Sequence, residues 1–175
     1  PAQQAIFDRG HEAEAAARPI AEEIIGEELF PATALDDDGV LLASFDGVTM
    51  LEDVIWEHKL INDKLRAATV DTLEEHYKIQ MDQQLLVSGA EKCLFMASDG
   101  TKEDCNHFWY TTTPERLAAI KAGWEQFNAD LAEYQPRKQE QSATATVAED
   151  LPAVSVQVSG SLSIVDNFDR FETEL

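Results

Sequence analysis

The chain has 175 residues, with 34 acidic side chains against 13 lysines and arginines, a formal net charge of −21 and a pI near 4.3. Its length and 44% hydrophobic content predict one globular domain with a sizeable core plus an appendage. The longest apolar runs fall short of the roughly 18 residues that cross a bilayer, and two cysteines provide no disulfide framework, so a cytoplasmic protein that does not span a membrane is expected. The acidity argues against an ordinary DNA-binding surface, because phosphate is usually met by lysine and arginine.

The first predicted element is an amphipathic helix over residues 3–25, where apolar residues recur every three or four positions. Pro19 is expected to kink or restart this helix, and Gly26 to end it. Glu14 is four residues from both Gly10 and Arg18 and so lies on the same side as they do. Taken by itself, Glu14 is equally consistent with a solvated helix carboxylate.

Three β-prone runs follow, at residues 29–35, 40–46 and 54–61. The first two flank Asp36-Asp37-Asp38-Gly39, a strong turn signal that lacks the later ligands of a calcium loop. The three runs predict an antiparallel meander whose middle strand ends at Asp46.

The stretch Ser44–Ile61 carries the polar groups with the clearest chemical use. Side chains alternate across a strand, so Glu57 and Lys59 should share one face and His58 the other, with Asp46 brought near Glu57 by the hairpin. Magnesium is held by few carboxylates, and a neighbouring lysine can orient a water molecule for attack on a phosphodiester. A surface ion pair explains the same residues equally well.

A second helix is predicted over residues 71–87, capped by Asp71 or Thr72. Its apolar stripe is interrupted by Tyr77, Gln80 and Gln84, which indicates either a site or a solvent-facing helix edge. A hairpin of residues 92–97 and 107–111 should complete the sheet. Cys105 and His107 have no second ligand pair at zinc spacing, so a zinc site is not expected.

A third helix should begin at Thr113-Pro114 and turn an apolar stripe toward the core; the stripe consists of Leu117, Ile120, Trp124, Phe127 and Leu131. Residues 135–150 have the composition of a flexible linker. Residues 151–175 predict a strand pair and part of a helix, an accessory segment too short to fold alone.

The order of these motifs resembles the YqaJ-like viral recombinase family, which includes the lambda-type phage alkaline exonucleases of the PD-(D/E)XK nuclease superfamily. The resemblance covers roughly residues 5–134 and rests on four groups: Gly10-x-x-x-Glu14, Ser44-Phe45-Asp46-Gly47, Glu57-His58-Lys59, and Tyr77-x-x-Gln80-x-x-x-Gln84-Leu85-x-Val87-x-Gly89. It implies an α+β fold with a restriction-endonuclease-like core, in which helices flank a central mixed β-sheet. Residues 1–134 would form this domain, lacking the family's upstream arginine and serine segment.

The resemblance also implies roles for individual residues. Asp46 and Glu57 would hold Mg²⁺, with Mn²⁺ as a substitute, and the backbone carbonyl of His58 would complete the ligand set. Lys59 would position or activate the water, and Glu14 would supply an outer carboxylate. Tyr77 and Gln80 would support Lys59 and would also contact the DNA strand. Asp82 stands where the family often has a second glutamine, which puts that glutamine's role in doubt.

The resulting hypothesis is a Mg²⁺-dependent exonuclease that hydrolyses linear duplex DNA 5′ to 3′ in phage-type homologous recombination. The family implies a homo-oligomer, a single-strand annealing protein as partner, and a bacterial or phage-infected host cytoplasm. Two alternatives stay open: a non-catalytic acidic binding module or DNA mimic on the same fold, favoured by the net charge, and an endonuclease of repair or restriction type.

Overall fold

The computed structural model describes the backbone of residues 2–134 and the side chains of residues 7–134. The predicted linker 135–150 and accessory segment 151–175 lie outside the described residues. The elements, in chain order, are α1 (Ala2–Ile25), β1 (Phe30–Leu35), β2 (Leu42–Val48), β3 (Val54–Leu60), α2 (Asp63–Arg66), α3 (Glu75–Ser88), β4 (Lys92–Ser98), β5 (Cys105–Tyr110) and α4 (Pro114–Glu133). The chain divides into two compact units, residues 1–126 and 127–175, and the second is described only at the end of α4.

The five strands form one mixed sheet in the order β1-β2-β3-β4-β5. Neighbouring strands are antiparallel except for β3 and β4, which run parallel from Val54 opposite Lys92 to Leu60 opposite Ser98. The predicted meander and the predicted hairpin are both confirmed, and the parallel pair joins them. The sheet is therefore mixed, as the family resemblance implies.

The central strands are buried on both faces because a helix covers each face. Ile55 of β3 belongs to an apolar cluster with Met81 and Leu85 of α3, whereas its neighbour Trp56 packs with Ala17 and Ala21 of α1. Each large side chain so buried contributes about 1.5–3 kcal/mol. A strand buried on both faces reads as a continuous apolar run, which is what Val54–Trp56 shows.

An irregularity interrupts β2 beside β1. Phe30 pairs with Val48 and Ala32 with Phe45, so two steps along β1 match three along β2. One extra residue in β2 is a β-bulge, located at Asp46 and Gly47. A Cβ on Gly47 would come within 2.9 Å of the Leu29 Cβ, so the absence of a side chain lets the two segments approach each other closely.

The ladder between β2 and β3 is short. It contains two residue pairs, Gly47 with Trp56 and Val48 with Ile55, and ends where Asp46 and Glu57 would form the next pair. The interval beyond this point is called the β2–β3 gap below. In this gap, backbone N–H and C=O groups form hydrogen bonds with side chains instead of with the neighbouring strand.

The α1 helix runs through Pro19 as one helix, so of the two predicted effects of this residue the restart does not occur, and the kink stays a prediction. The prediction for the start of the next long helix needs correction. The α3 helix begins at Glu75, with Glu74 as an N-cap that makes no side-chain capping bond. Asp71 and Thr72 therefore do not cap it; Thr72 instead exchanges hydrogen bonds with Thr69 in the preceding turn.

The predicted core-facing stripe of α4 is also wrong. The helix has no buried residue: Leu117 and Ile120 are partly buried, and Trp124, Phe127 and Leu131 are 37%, 52% and 56% exposed. An apolar stripe shows that a helix has one apolar face but not what covers that face. Across the described part of the chain, no helix combines the length and apolar character needed to span a bilayer.

Candidate active site

Glu57 is the most enclosed charged group beside the β2–β3 gap, with only 3% of its surface exposed. Its Oε1 accepts hydrogen bonds from the Lys59 ammonium and, at 2.6 Å, from Gln80 Nε2. Its Oε2 accepts a 2.6 Å bond from Gln84 Nε2. Burying a carboxylate is costly unless it is paired and hydrogen-bonded, and these three donors provide both conditions.

Asp46 lies on the bulge of β2. Its Oδ2 accepts a 2.7 Å hydrogen bond from the backbone N–H of His58, which replaces a strand partner for that group. Burial, followed by the negative charge of Glu57, raises the pKa of Asp46 to about 7. Bulges commonly re-aim a side chain beside a site, and this one brings Asp46 to Glu57 as the sequence predicted.

Glu14 reaches the same cluster from α1. Its Oε1 lies 3.3 Å from Arg18 NH2, and the Arg18 side chain also lies 5.4 Å from the centre of the Trp56 ring. Burial raises the pKa of Glu14, the charges of Arg18 and His11 oppose that rise, and the charge of Glu57 adds to it. The structure therefore brings all three predicted carboxylates into one electrostatic cluster.

Lys59 balances part of this negative charge. Burial alone would lower its pKa, but the charge and hydrogen bond of Glu57, together with the charge of Asp46, raise the pKa above its usual value. The Lys59 ammonium also lies 5.9 Å from the centre of the Tyr77 ring. Lys59 is thus held in its protonated form, between an anion and an aromatic face.

The imidazole of His58 points to the other side of β3, as the alternation predicts. It is buried, with Nε2 2.9 Å from Ser98 Oγ and its ring 5.7 Å from the Trp56 ring. Burial and the neighbouring Lys59 charge lower its pKa to about 4, so this ring is neutral near pH 7. The metal-binding role expected of the His58 carbonyl stays a prediction.

Two side chains on α3 have positions that the sequence did not resolve. Gln84 contacts Glu57 directly, although the resemblance implies supporting roles only for Tyr77 and Gln80; the sequence signal for this contact is its place one helical turn after Gln80. Asp82 is directed away from Glu57, accepting hydrogen bonds from Tyr110 Oη and Arg116 Nε, each at 2.7 Å. Asp82 therefore does not take the place of a second site glutamine.

The donor chemistry of the gap suits a hard cation. Within residues 7–134, no group of three or more His, Cys, Asp or Glu side chains is arranged to hold a metal ion. Magnesium needs fewer, because it is bound through one or two carboxylates and keeps several waters. Burial, and after it the charge of Glu57, raises the pKa of Asp46, and a divalent cation would stabilise the ionised carboxylate against both effects. Asp46 and Glu57 are the residues that fit this role.

Comparison with known proteins identifies the fold. No protein-family model matches the chain, and no curated protein does. The crystal structure of LHK-Exo in complex with dAMP matches at 24% identity and a TM-score of 0.63, over 74% of this chain and 69% of that one. That of the alkaline exonuclease LHK-Exo from Laribacter hongkongensis matches at 23% identity and a TM-score of 0.61, over 73% and 69%. The predicted α+β nuclease-type fold is confirmed: this chain has the fold of the alkaline exonuclease LHK-Exo.

Proposed function

We propose that this chain is a Mg²⁺-dependent deoxyribonuclease that hydrolyses linear duplex DNA from its 5′ ends. The observation that carries the proposal is the convergence of Glu14, Asp46, Glu57 and Lys59 at the β2–β3 gap, with Gln80 on Glu57. The shared fold supports it, since LHK-Exo is an alkaline exonuclease and one of its structures contains dAMP, a nucleoside monophosphate of the kind that DNA hydrolysis releases.

Each residue has a distinct task in this proposal. Asp46 and Glu57 would hold Mg²⁺, with the His58 carbonyl as a further oxygen ligand. A divalent cation held there would polarise the phosphoryl group and stabilise the charge that develops on the leaving oxygen. Lys59, kept protonated by its anionic neighbours, would donate a hydrogen bond that orients the attacking water. Glu14 would accept hydrogen bonds from water at the edge of the site.

The biological role proposed here is phage-type homologous recombination, in the cytoplasm of a bacterial or phage-infected host. A single-strand annealing protein would then take up the strand that remains, and the enzyme would act as a homo-oligomer. Tyr77 and Gln80 would contact the DNA strand next to Lys59. These roles are the ones that the family resemblance implies.

A second candidate is a non-catalytic acidic module, because most cations on the described surface are already neutralised. Lys64 contacts Glu74, Lys102 contacts Glu23, and Arg66 binds Asp104 through two nitrogens. Few lysines or arginines are then available to neutralise phosphates. A protein of this kind would bind a basic partner instead of cleaving DNA.

The deciding experiment is digestion of duplex DNA labelled at either its 5′ or its 3′ ends, in millimolar Mg²⁺ or in EDTA, beside a closed circular duplex. Lys59→Ala is the test variant, and Lys64→Ala is the matched control because Lys64 is an exposed lysine on the neighbouring helix. We expect Mg²⁺-dependent release of 5′ label, lost in Lys59→Ala and kept in Lys64→Ala. Cleavage of the circle would indicate an endonuclease, and no cleavage by folded protein would favour the acidic module.

A further inference from the structure

Gln84 is a buried amide that connects the two strands on either side of the β2–β3 gap. Only 3% of its surface is exposed. Its Nε2 donates one hydrogen bond to the backbone carbonyl of Ser44 in β2, at 2.9 Å, and another to Glu57 Oε2 in β3, at 2.6 Å. One side chain of α3 thus contacts both strands where they have stopped pairing with each other.

The orientation of this amide is determined by its partners. Its two partners are a backbone carbonyl oxygen and a carboxylate oxygen, which accept hydrogen bonds, so the NH₂ end of Gln84 is the end that satisfies them. Both hydrogens of Nε2 are used. The remaining atom, Oε1, is buried without a hydrogen-bond partner among the described residues. A buried acceptor left unpaired is costly, so this arrangement is not the one that packing alone would favour.

The two glutamines on Glu57 are not equivalent. Gln80 is exposed and shares Glu57 Oε1 with Lys59, so its contact can be replaced by water or by a substrate atom. Gln84 binds the other oxygen from the buried side. Gln84 therefore sets the rotation of the carboxylate from Oε2, while Gln80 and Lys59 contact its other oxygen, Oε1.

We propose that Gln84 is a positioning residue, which holds the Glu57 carboxylate at a fixed distance from β2 so that Glu57 and Asp46 can bind one divalent cation together. This inference rests on the proposed function and extends it to a residue that would touch neither metal nor DNA. Partners that orient a metal-binding carboxylate typically change metal affinity or activity 10- to 100-fold when they are removed.

The chain offers a matched control in the adjacent residue. Gln83 also lies on α3 and also donates to a β2 carbonyl, that of Leu42 at 2.8 Å, while its Oε1 accepts from Trp124 Nε1 at 2.9 Å. Neither bond reaches Glu57. Gln83→Met consequently removes an amide that links the same helix to the same strand, without touching the candidate site.

The experiment compares Gln84→Met with Gln83→Met in three measurements: Mn²⁺ affinity by calorimetry, the metal dependence of DNA cleavage, and the ¹³C resonance of the Glu57 carboxyl in metal-free protein. For Gln84→Met we expect about 10- to 100-fold weaker Mn²⁺ binding, a similar rise in the Mn²⁺ concentration for half-maximal cleavage, and a shifted resonance. Gln83→Met should resemble the wild type in all three. If Gln84→Met does not fold, Gln84→Asn, whose shorter amide cannot reach both partners, replaces it.

The outcomes separate this inference from the proposed function. A folded Gln84 variant with an unshifted Glu57 resonance, or with the Mn²⁺ affinity of Gln83→Met, would overturn the positioning role. Equal losses in both methionine variants would also overturn it, because they would indicate a general link between α3 and β2. Wild-type protein that binds no Mn²⁺ but whose Glu57 resonance responds only to Gln84→Met would instead overturn the proposed metal chemistry.

Discussion

Asp46 Oδ2 accepts a 2.7 Å hydrogen bond from the backbone N–H of His58, at the point where the β2–β3 ladder ends. This bond keeps a carboxylate next to Glu57 although each negative charge opposes the other. The hydrogen bond favours this position of Asp46, whereas burial and the charge of Glu57 disfavour its ionised form. The consequence can be measured in the stability of the metal-free protein.

Asp46→Asn should change how stability depends on pH. The pKa of Asp46 is raised from its ordinary 3.8 to about 7, so the folded state holds this proton more tightly than the unfolded state. Stability attributable to Asp46 is therefore full below about pH 4 and is lost as pH rises toward 7, with an upper bound of about 4 kcal/mol. Urea unfolding in EDTA across this range should show a flatter profile for Asp46→Asn. Parallel profiles would contradict the raised pKa.

Divalent cations should stabilise the wild-type chain by binding at Asp46 and Glu57. At a concentration 100 times the dissociation constant, binding to the folded state adds about 2.7 kcal/mol to the free energy of unfolding. Thermal unfolding with increasing Mg²⁺ or Mn²⁺ measures this effect. We expect the stabilisation to persist in Asp63→Asn, which alters an exposed carboxylate on α2, and to vanish in Asp46→Asn. Equal stabilisation of both variants would place the cation elsewhere.

Gly47→Ala and Gly123→Ala should have opposite effects. A Cβ at Gly47 would lie 2.9 Å from Leu29 Cβ and 3.1 Å from Trp56 Cε3, whereas a Cβ at Gly123 meets nothing within 4 Å. Overpacking at Gly47 should cost about 1–3 kcal/mol. Gly123→Ala should stabilise α4 by up to about 1 kcal/mol, because alanine favours helices. Urea denaturation checks both; a neutral Gly47→Ala would show that the bulge can relax.

Arg116→Met should destabilise the fold more than Arg66→Met. Arg116 donates to Asp82, which is almost fully buried, and its loss leaves that carboxylate with the Tyr110 hydroxyl as its remaining donor within residues 7–134. A buried acceptor deprived of a charged partner costs about 1–3 kcal/mol. Arg66 binds Asp104 at an exposed position, where solvent screens the ion pair and the ordering of both side chains offsets most of its attraction. Chemical denaturation should rank the two variants in this order.

Alternation along β3 was enough to predict the relation among Glu57, Lys59 and His58, because it depends only on the period of a strand. The bulge at Asp46 could not be predicted in this way. It depends on the approach of Leu29 to Gly47, and these residues are brought together by the sheet.

The partners of Gln84 could not be predicted from the sequence for a related reason. A glutamine on an apolar stripe is consistent with either a buried partner or a helix edge, and only tertiary structure provides the partner. Whether another element packs against the apolar face of α4 also depends on tertiary neighbours, which the spacing of the apolar residues does not reveal. The turn that delays α3 to Glu75 is held by Thr69 and Thr72, whose side chains bind each other's backbone instead of capping the helix.

The parallel pairing of β3 with β4 sets the order in which the site can assemble. The β1–β2–β3 meander and the β4–β5 hairpin each connect neighbours in sequence and close small loops, whereas the β3–β4 pair must close residues 61–91. That long connection contains α3, and with it Gln80 and Gln84. We expect Asp46 and Glu57 to be in place on the meander before Gln80 and Gln84 reach Glu57, so the site should acquire its final form only at the end of folding.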